Sequence, residues 1–108
     1  VVFPFDQHAH GRDGIAVEFF GHPAGTFRSL AIIAQATGAP VMPAASWREP
    51  DGSHVLRFEE PLEPIACDDP KEELLRNTRA YNAALERFVV RHPEQWWWVH
   101  RRWKARAP

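Results

Sequence analysis

The chain has 108 residues, 44% apolar and 25% charged, with a formal net charge of −1. That length holds one domain with a modest core, the balance is ordinary for a globular protein, and the near-neutral total supplies no global field for nucleic acid. No apolar run reaches the roughly 18 residues of a spanning helix, no signal peptide is visible, and the single Cys67 excludes an internal disulfide, as fits a reducing compartment.

Charge is unevenly placed. Glu59, Glu60, Glu63, Asp68, Asp69, Glu72 and Glu73 crowd the middle, while Arg101, Arg102, Lys104 and Arg106 make the end basic. Four of the five tryptophans fall within residues 96–103. Trp brings a large apolar body with one N–H donor, and Arg a planar fork that fits phosphate and carboxylate. The tail therefore reads as packing against the body of the fold beside something anionic. Opening on Val1-Val2-Phe3 without Met, the sequence is expected to be a fragment of a longer protein.

In chain order, Val1–Phe5 reads as a short buried strand, made irregular or placed at an edge by Pro4. Asp6 and Gln7 stand where it ends, the position at which open α/β sheets place ligand chemistry. A loop from His8 to Gly14 leads to a second strand, Ile15–Phe20, broken by Gly21-His22-Pro23. The spacing of Phe27, Leu30, Ala31 and Ala34 predicts a helix over Ala24–Thr37, stopped by Gly38 and Pro40. Its start carries Gly25 and Thr26 with Arg28 a turn inside. Such an end offers N–H groups to an anion, or is simply the cap of an amphipathic helix.

Val41–Arg48 reads as a strand interrupted by Pro43. Glu49-Pro50-Asp51-Gly52 is a turn, and His54–Phe58 returns to complete a hairpin. A proline-rich polar loop, Pro61–Pro70, precedes the strongest element. Asp69 caps a helix with Pro70 at its first position and Glu72 placed for a capping box. Leu74, Thr78, Tyr81, Leu85 and Phe88 then form a stripe ending near Arg91. Pro93 starts another short helix with His92 as cap; if 94–104 is helical, Trp96, Val99, His100 and Trp103 share a face. Glu18, an acid on an apolar strand, is expected to face water rather than be buried.

The segments Asp6-Gln7, Gly14-Ile15-Ala16-Val17-Glu18-Phe19-Phe20-Gly21-His22-Pro23-Ala24, Leu30-Ala31, Thr37-Gly38-Ala39-Pro40-Val41-Met42-Pro43 and His92 to Lys104 together resemble the C-terminal half of the bacterial lipid A biosynthesis acyltransferases, within the lysophospholipid acyltransferase superfamily. The resemblance runs through nearly the whole chain in order, and the terminal motif is its most specific part. It implies an α/β fold, the C-terminal half of an acyltransferase-type sandwich with a mixed sheet and flanking helices. It also implies transfer of a fatty acyl group from an acyl-carrier-protein thioester to a hydroxyl of a glycolipid such as a lipid A precursor. The expected setting is the cytoplasmic face of the bacterial inner membrane, against the membrane surface, with no metal and no other cofactor. The family's general base and its orienting acid, a His followed after four residues by Asp or Glu, belong to an N-terminal half expected upstream of residues 1–108, a single segment that would be inactive alone.

His8 and Asp13 reproduce that spacing inside this chain. They are a candidate catalytic pair, with a solvated polar loop as the simpler reading. His8, His10 and Asp13 fit no compact zinc pattern. Asp6 and Gln7 match the family's Asp-Gln pair and are candidates to line the cleft, ordering the acceptor or an active-site Arg. Arg28 is a candidate for a phosphate. His100, Arg101 and Arg102 match the terminal motif and are candidates for anionic headgroups, while Trp96 and Trp103 are expected to be mostly structural. The triple Trp96-Trp97-Trp98 and Glu18 depart from the family's usual residues and leave the acceptor open. Alternatives are a lysophospholipid or other glycolipid acyltransferase, a non-catalytic remnant, and a module binding nucleic acid through its aromatic and basic tail; the acidic middle argues against nucleic acid as a partner.

Overall fold

The computed structural model describes residues 2–9, 11–96 and 102–103. After a 3-10 turn at Gly11–Asp13, the chain forms β1 (Gly14–Phe19), β2 (His22–Phe27), α1 (Ser29–Thr37), β3 (Ala44–Arg48), β4 (His54–Phe58), α2 (Pro70–Arg91) and a second 3-10 turn at Pro93–Gln95. Among the described residues the strands make two separate antiparallel pairs, β1–β2 and β3–β4, rather than the mixed sheet expected.

The first surprise is β2. Residues 24–27 lie in a strand, and the helix expected from Ala24 begins only at Ser29. The cause is the turn before it. Phe20 and Gly21 both take positive φ, 52° and 78°, the condition for a two-residue hairpin turn whose twist matches its strands. Once the chain reverses there, Val17 pairs with Ala24 and Ile15 with Thr26. Gly25 and Thr26 are weak helix formers, so strand pairing outweighs the helical spacing. Phe20, strained at positive φ, is held by its N–H donating to Glu86 Oε2 at 2.9 Å.

The same change removes the anion site drawn at the helix start. Gly25 and Thr26 stand in β2, and α1 is entered from Arg28 without a side-chain cap. Its far end follows the sequence: Gly38 sits at φ 70° and its N–H closes onto the Ala34 carbonyl at 2.9 Å. Of the strand expected at Val1–Phe5, the described residues 2–5 form none either. Val2 is 89% exposed, and this stretch is anchored instead by the buried ring of Phe5. Proline at position 4 offers no ladder N–H.

The β3–β4 hairpin forms as its turn residues dictate. Gly52 adopts φ 90° and its N–H donates to the Glu49 carbonyl at 2.9 Å. Asp51 Oδ1 accepts from both the Ser53 N–H, 2.9 Å, and the Ser53 hydroxyl, 2.6 Å; these bonds hold its carboxyl below the usual range. Gln95 ties the hairpin to the body. Its carboxamide accepts from the Arg48 N–H at 2.7 Å and donates to the Arg48 carbonyl at 2.8 Å, imitating a strand partner.

α2 is the spine. Asp69 Oδ1 accepts the Lys71 N–H at 3.0 Å and Pro70 opens the helix. The expected box is not closed by Glu72, whose carboxylate pairs with Arg76 at 3.1 Å. Glu73 reaches back instead, to the Cys67 N–H at 2.9 Å. Asn77 grips both backbone groups of Ile65, at 3.0 and 2.9 Å, which docks the proline-rich loop onto the helix.

Two apolar clusters flank the spine. Phe5, Ala31 and Tyr81 form one, joined by Phe27, Leu30, Val41, Leu62 and Leu74. Phe19, Ala24 and Val89 form the other, joined by Trp96 and Trp103; Leu85 touches both. Trp96 is extended (φ −73°, ψ 135°), so the short helix stops at Gln95. The short helix expected from Pro93 with His92 as its cap is present, a run that continued helically over 94–104 is broken at Trp96, and residues 97–101 lie outside the described residues.

Candidate functional site

An open groove of roughly 580 Å³ runs between the N-terminal segment, the β3 strand and α2. Phe5, Leu30, Leu62, Tyr81, Leu85 and Phe88 give it an apolar lining. Val2, Met42 and Leu56 line it too, and they are at least half exposed. Polar side chains are the minority: Asp6, Ser46, Trp47, Tyr81, His92 and Gln95 among them. Tyr81 meets Phe5 edge-on at 5.7 Å, and burial raises its hydroxyl pKa, keeping it a neutral donor. His92 stacks on Trp47 at 4.6 Å. A concave apolar surface with a few polar groups suits an amphipathic ligand.

Apart from the groove lining stands a buried arginine. Arg102 is fully buried. Its Nη1 donates to the Gly25 carbonyl at 2.6 Å, and its Nη2 to Thr26 Oγ1 at 3.0 Å and Asn82 Oδ1 at 3.4 Å. Thr26 Oγ1 donates onward to the Ala24 carbonyl at 2.9 Å, and Asn82 Nδ2 donates to Thr26 Oγ1 and to the Glu18 carbonyl. The guanidinium also stands 5.2 Å from the centre of the Phe19 ring. Burial pulls its pKa down to about 10, and the carboxylate of Asp6 acts in the opposite direction. Next to it in sequence, Trp103 packs on Phe19 at 5.4 Å and donates its indole N–H to the Phe19 carbonyl at 2.9 Å.

The residues singled out in the sequence are thus dispersed. Asp6 is exposed and lines the groove, while Gln7 is exposed beside it. His8 is half-buried, its ring against Gly25: a Cβ on residue 25 would come within 2.6 Å of His8 Cε1. Asp13 is exposed at the end of the first 3-10 turn, and its carbonyl accepts the Arg28 N–H at 3.2 Å. Arg28 is half-buried at the entry to α1. Arg102 points its guanidinium inward at protein oxygens. His10, His100 and Arg101 lie outside the described residues. Glu18 is exposed, facing Arg79 at 3.7 Å.

Sequence reading passed over Asn82 and Tyr81 as site components, and gave Thr26 a place only in the anion-binding helix start that β2 replaces. Asn82 had a visible signal. It lies one turn past Thr78 on the stripe that also holds Tyr81, Leu85 and Phe88, and an amide at a core position needs a partner. Among the described residues no group of His, Cys, Asp and Glu is arranged to hold a metal, and no helix is long and apolar enough to cross a membrane.

Comparison with known proteins bears on the whole chain. Residues 1–105 match the family described as bacterial lipid A biosynthesis acyltransferase. Lipid A biosynthesis lauroyltransferase of Escherichia coli (strain K12) is 29% identical over 108 residues, an alignment that takes in 98% of this chain and 34% of that protein. The chain thus spans about a third of that relative's length. With the match extending from the groove-lining N-terminal segment through Arg102 and Trp103, the chain belongs to the bacterial lipid A biosynthesis acyltransferase family.

Proposed function

We propose that the protein carrying these residues transfers a fatty acyl group from an acyl-carrier-protein thioester to a hydroxyl of a glycolipid such as a lipid A precursor, at the cytoplasmic face of the inner membrane. The observation that carries this reading is the family match over residues 1–105. The groove is consistent with it, since an apolar trough edged by Asp6 suits a ligand with a hydrocarbon part and a hydroxylated head. In this reading the 108 residues are the C-terminal portion. The general base comes from residues outside them, and Asp6 and Gln7 contact or order the acceptor. Arg28, His100 and Arg101 are proposed to meet anionic groups of the acceptor or the membrane surface. His8 and Asp13 are proposed as segment residues rather than the catalytic pair.

The test is acyl transfer by the full-length gene product in membranes, with lauroyl- and myristoyl-acyl carrier protein as donors and a lipid A precursor as acceptor. Product is expected with the wild type. Asp6→Ala is expected to lower kcat/KM by about 100-fold, as for a lost positioning contact at a reacting centre, while His8→Ala stays within a few-fold. A wild type that acylates no glycolipid overturns the reading. A His8→Ala variant as inactive as Asp6→Ala would return His8 to the catalytic pair.

A further inference from the structure

Arg102 is an unusual residue to bury. A guanidinium removed from water carries a desolvation cost that is offset only when its donors are well placed. Here its acceptors are a carbonyl, a hydroxyl and a carboxamide, all neutral. One of them, the Gly25 carbonyl, is shared: the Ala9 N–H donates to the same oxygen at 3.1 Å. The Asp6–Ala9 segment is pressed against the strand at that point. A side chain on residue 25 would run into the Ala9 carbonyl and the His8 ring, so glycine there lets the two backbones meet. Three pieces from distant parts of the sequence thus converge on one peptide group: the N-terminal segment, β2 and the tail.

We infer that Arg102 is a positioning residue: it fixes the Gly25 carbonyl over which Asp6–Ala9 is laid, and so sets where Asp6 stands at the mouth of the groove. The terminal motif acts on the reaction through the Asp-Gln pair and not by holding a headgroup with this arginine. Phe19 covers one side of the guanidinium and Asn82 and Thr26 fix its plane, so its direction is determined from α2 and β2 together. The charge of Asp6 acts on Arg102 in turn, favouring its protonated form. A lysine at 102 keeps the charge but offers no planar fork to reach a carbonyl and a hydroxyl at once.

The inference rests on the proposed acyl transfer only for its kinetic arm. In the full-length protein, Arg102→Lys, Arg102→Met, Asp6→Asn and the Arg102→Met/Asp6→Asn double variant are compared by hydrogen exchange and by kinetics, below each variant's unfolding temperature. Exchange in peptides covering residues 3–12 is expected to quicken by about tenfold in Arg102→Met and by less in Arg102→Lys, with α2 protection retained. Arg102→Met is expected to lower kcat/KM by roughly 10–100-fold, and the double variant to fall no further than the weaker single variant. Unchanged exchange at residues 3–12 in a folded Arg102→Met, or losses that multiply fully in the double variant, overturns the inference. If Arg102→Met fails to fold, Arg102→Lys is read by the same two measurements and the same criteria. If the wild type transfers no acyl group, the proposed function fails and the exchange result alone decides the positioning.

Discussion

Replacing Phe19 by alanine is expected to be among the most damaging single changes in the fold. Phe19 is fully buried, and its ring lies 5.7 Å from Trp96, 5.4 Å from Trp103 and 4.8 Å from Phe20, with the Arg102 guanidinium 5.2 Å away. Truncating a core phenylalanine costs roughly 3–5 kcal/mol from lost burial and the cavity left behind. Each aromatic contact adds about 0.5–1.5 kcal/mol beyond area, so the value should fall near the upper end of that range. Single domains hold only about 5–15 kcal/mol in total, which leaves Phe19→Ala close to unfolding. Phe19→Leu restores most of the volume but no ring, and should lose about 1–2 kcal/mol. Urea unfolding of the purified protein, followed by circular dichroism and by tryptophan fluorescence, measures both. A loss under about 1.5 kcal/mol for Phe19→Ala, or equal losses for the two variants, would refute the account of this ring as the shared seat of two tryptophans and a buried cation.

Three further outcomes are expected. Asn77→Ala leaves both backbone groups of Ile65 without their partner, so it should destabilise by about 2–3 kcal/mol and speed amide exchange at Ile65. Gly25→Ala should lower the unfolding temperature and quicken exchange in residues 5–9, because the added methyl meets the Ala9 carbonyl and the His8 ring; a variant as stable as wild type would show that the segment does not lie over β2. Asp51 is held below its ordinary value of 3.8, first by the Ser53 hydroxyl and then by the Ser53 N–H. A depressed carboxyl favours the folded turn above its unfolded value and loses that contribution as pH falls through the folded one. Ser53→Ala should therefore move the Asp51 midpoint up in a carbon-detected NMR titration, and an unmoved midpoint would refute that cause.

Much of α2 and the β3–β4 hairpin was legible in the sequence because their signals are local. Asp69 and Pro70 act within one turn, the Leu74-to-Phe88 stripe repeats over four turns, and Glu49-Pro50-Asp51-Gly52 folds on itself. β2 was not legible. Its reversal depends on a phenylalanine at positive φ, a choice without the usual Asn-Gly signature, and on a partner strand that overrides the helical spacing after it. Asp6 was singled out by its place after an expected strand that residues 2–5 do not form, and by family resemblance, and the structure sets it in the groove lining. The burial of Arg102 could not be read, because its acceptors lie 20 to 77 positions away and a basic tail looks like a surface when read alone. The polar stripe positions, Asn82 above all, were the clue that something charged or polar had to arrive there.

The contacts of Phe19 also impose an order on assembly. The indole N–H of Trp103 bonds a carbonyl 84 positions earlier, and Arg102 reaches 77 positions back to Gly25. Contacts of such sequence separation pay their loop-closure entropy before they return any stability, and they slow folding. During synthesis, residues emerge at about 5–20 per second, so the hairpin that contains Phe19 waits several seconds for its final partners. Through that interval the Phe19 ring lacks the tryptophans that later cover it. A released chain truncated just before Arg102 should therefore keep its Phe19 core open to a protease, even with α2 (Pro70–Arg91) formed.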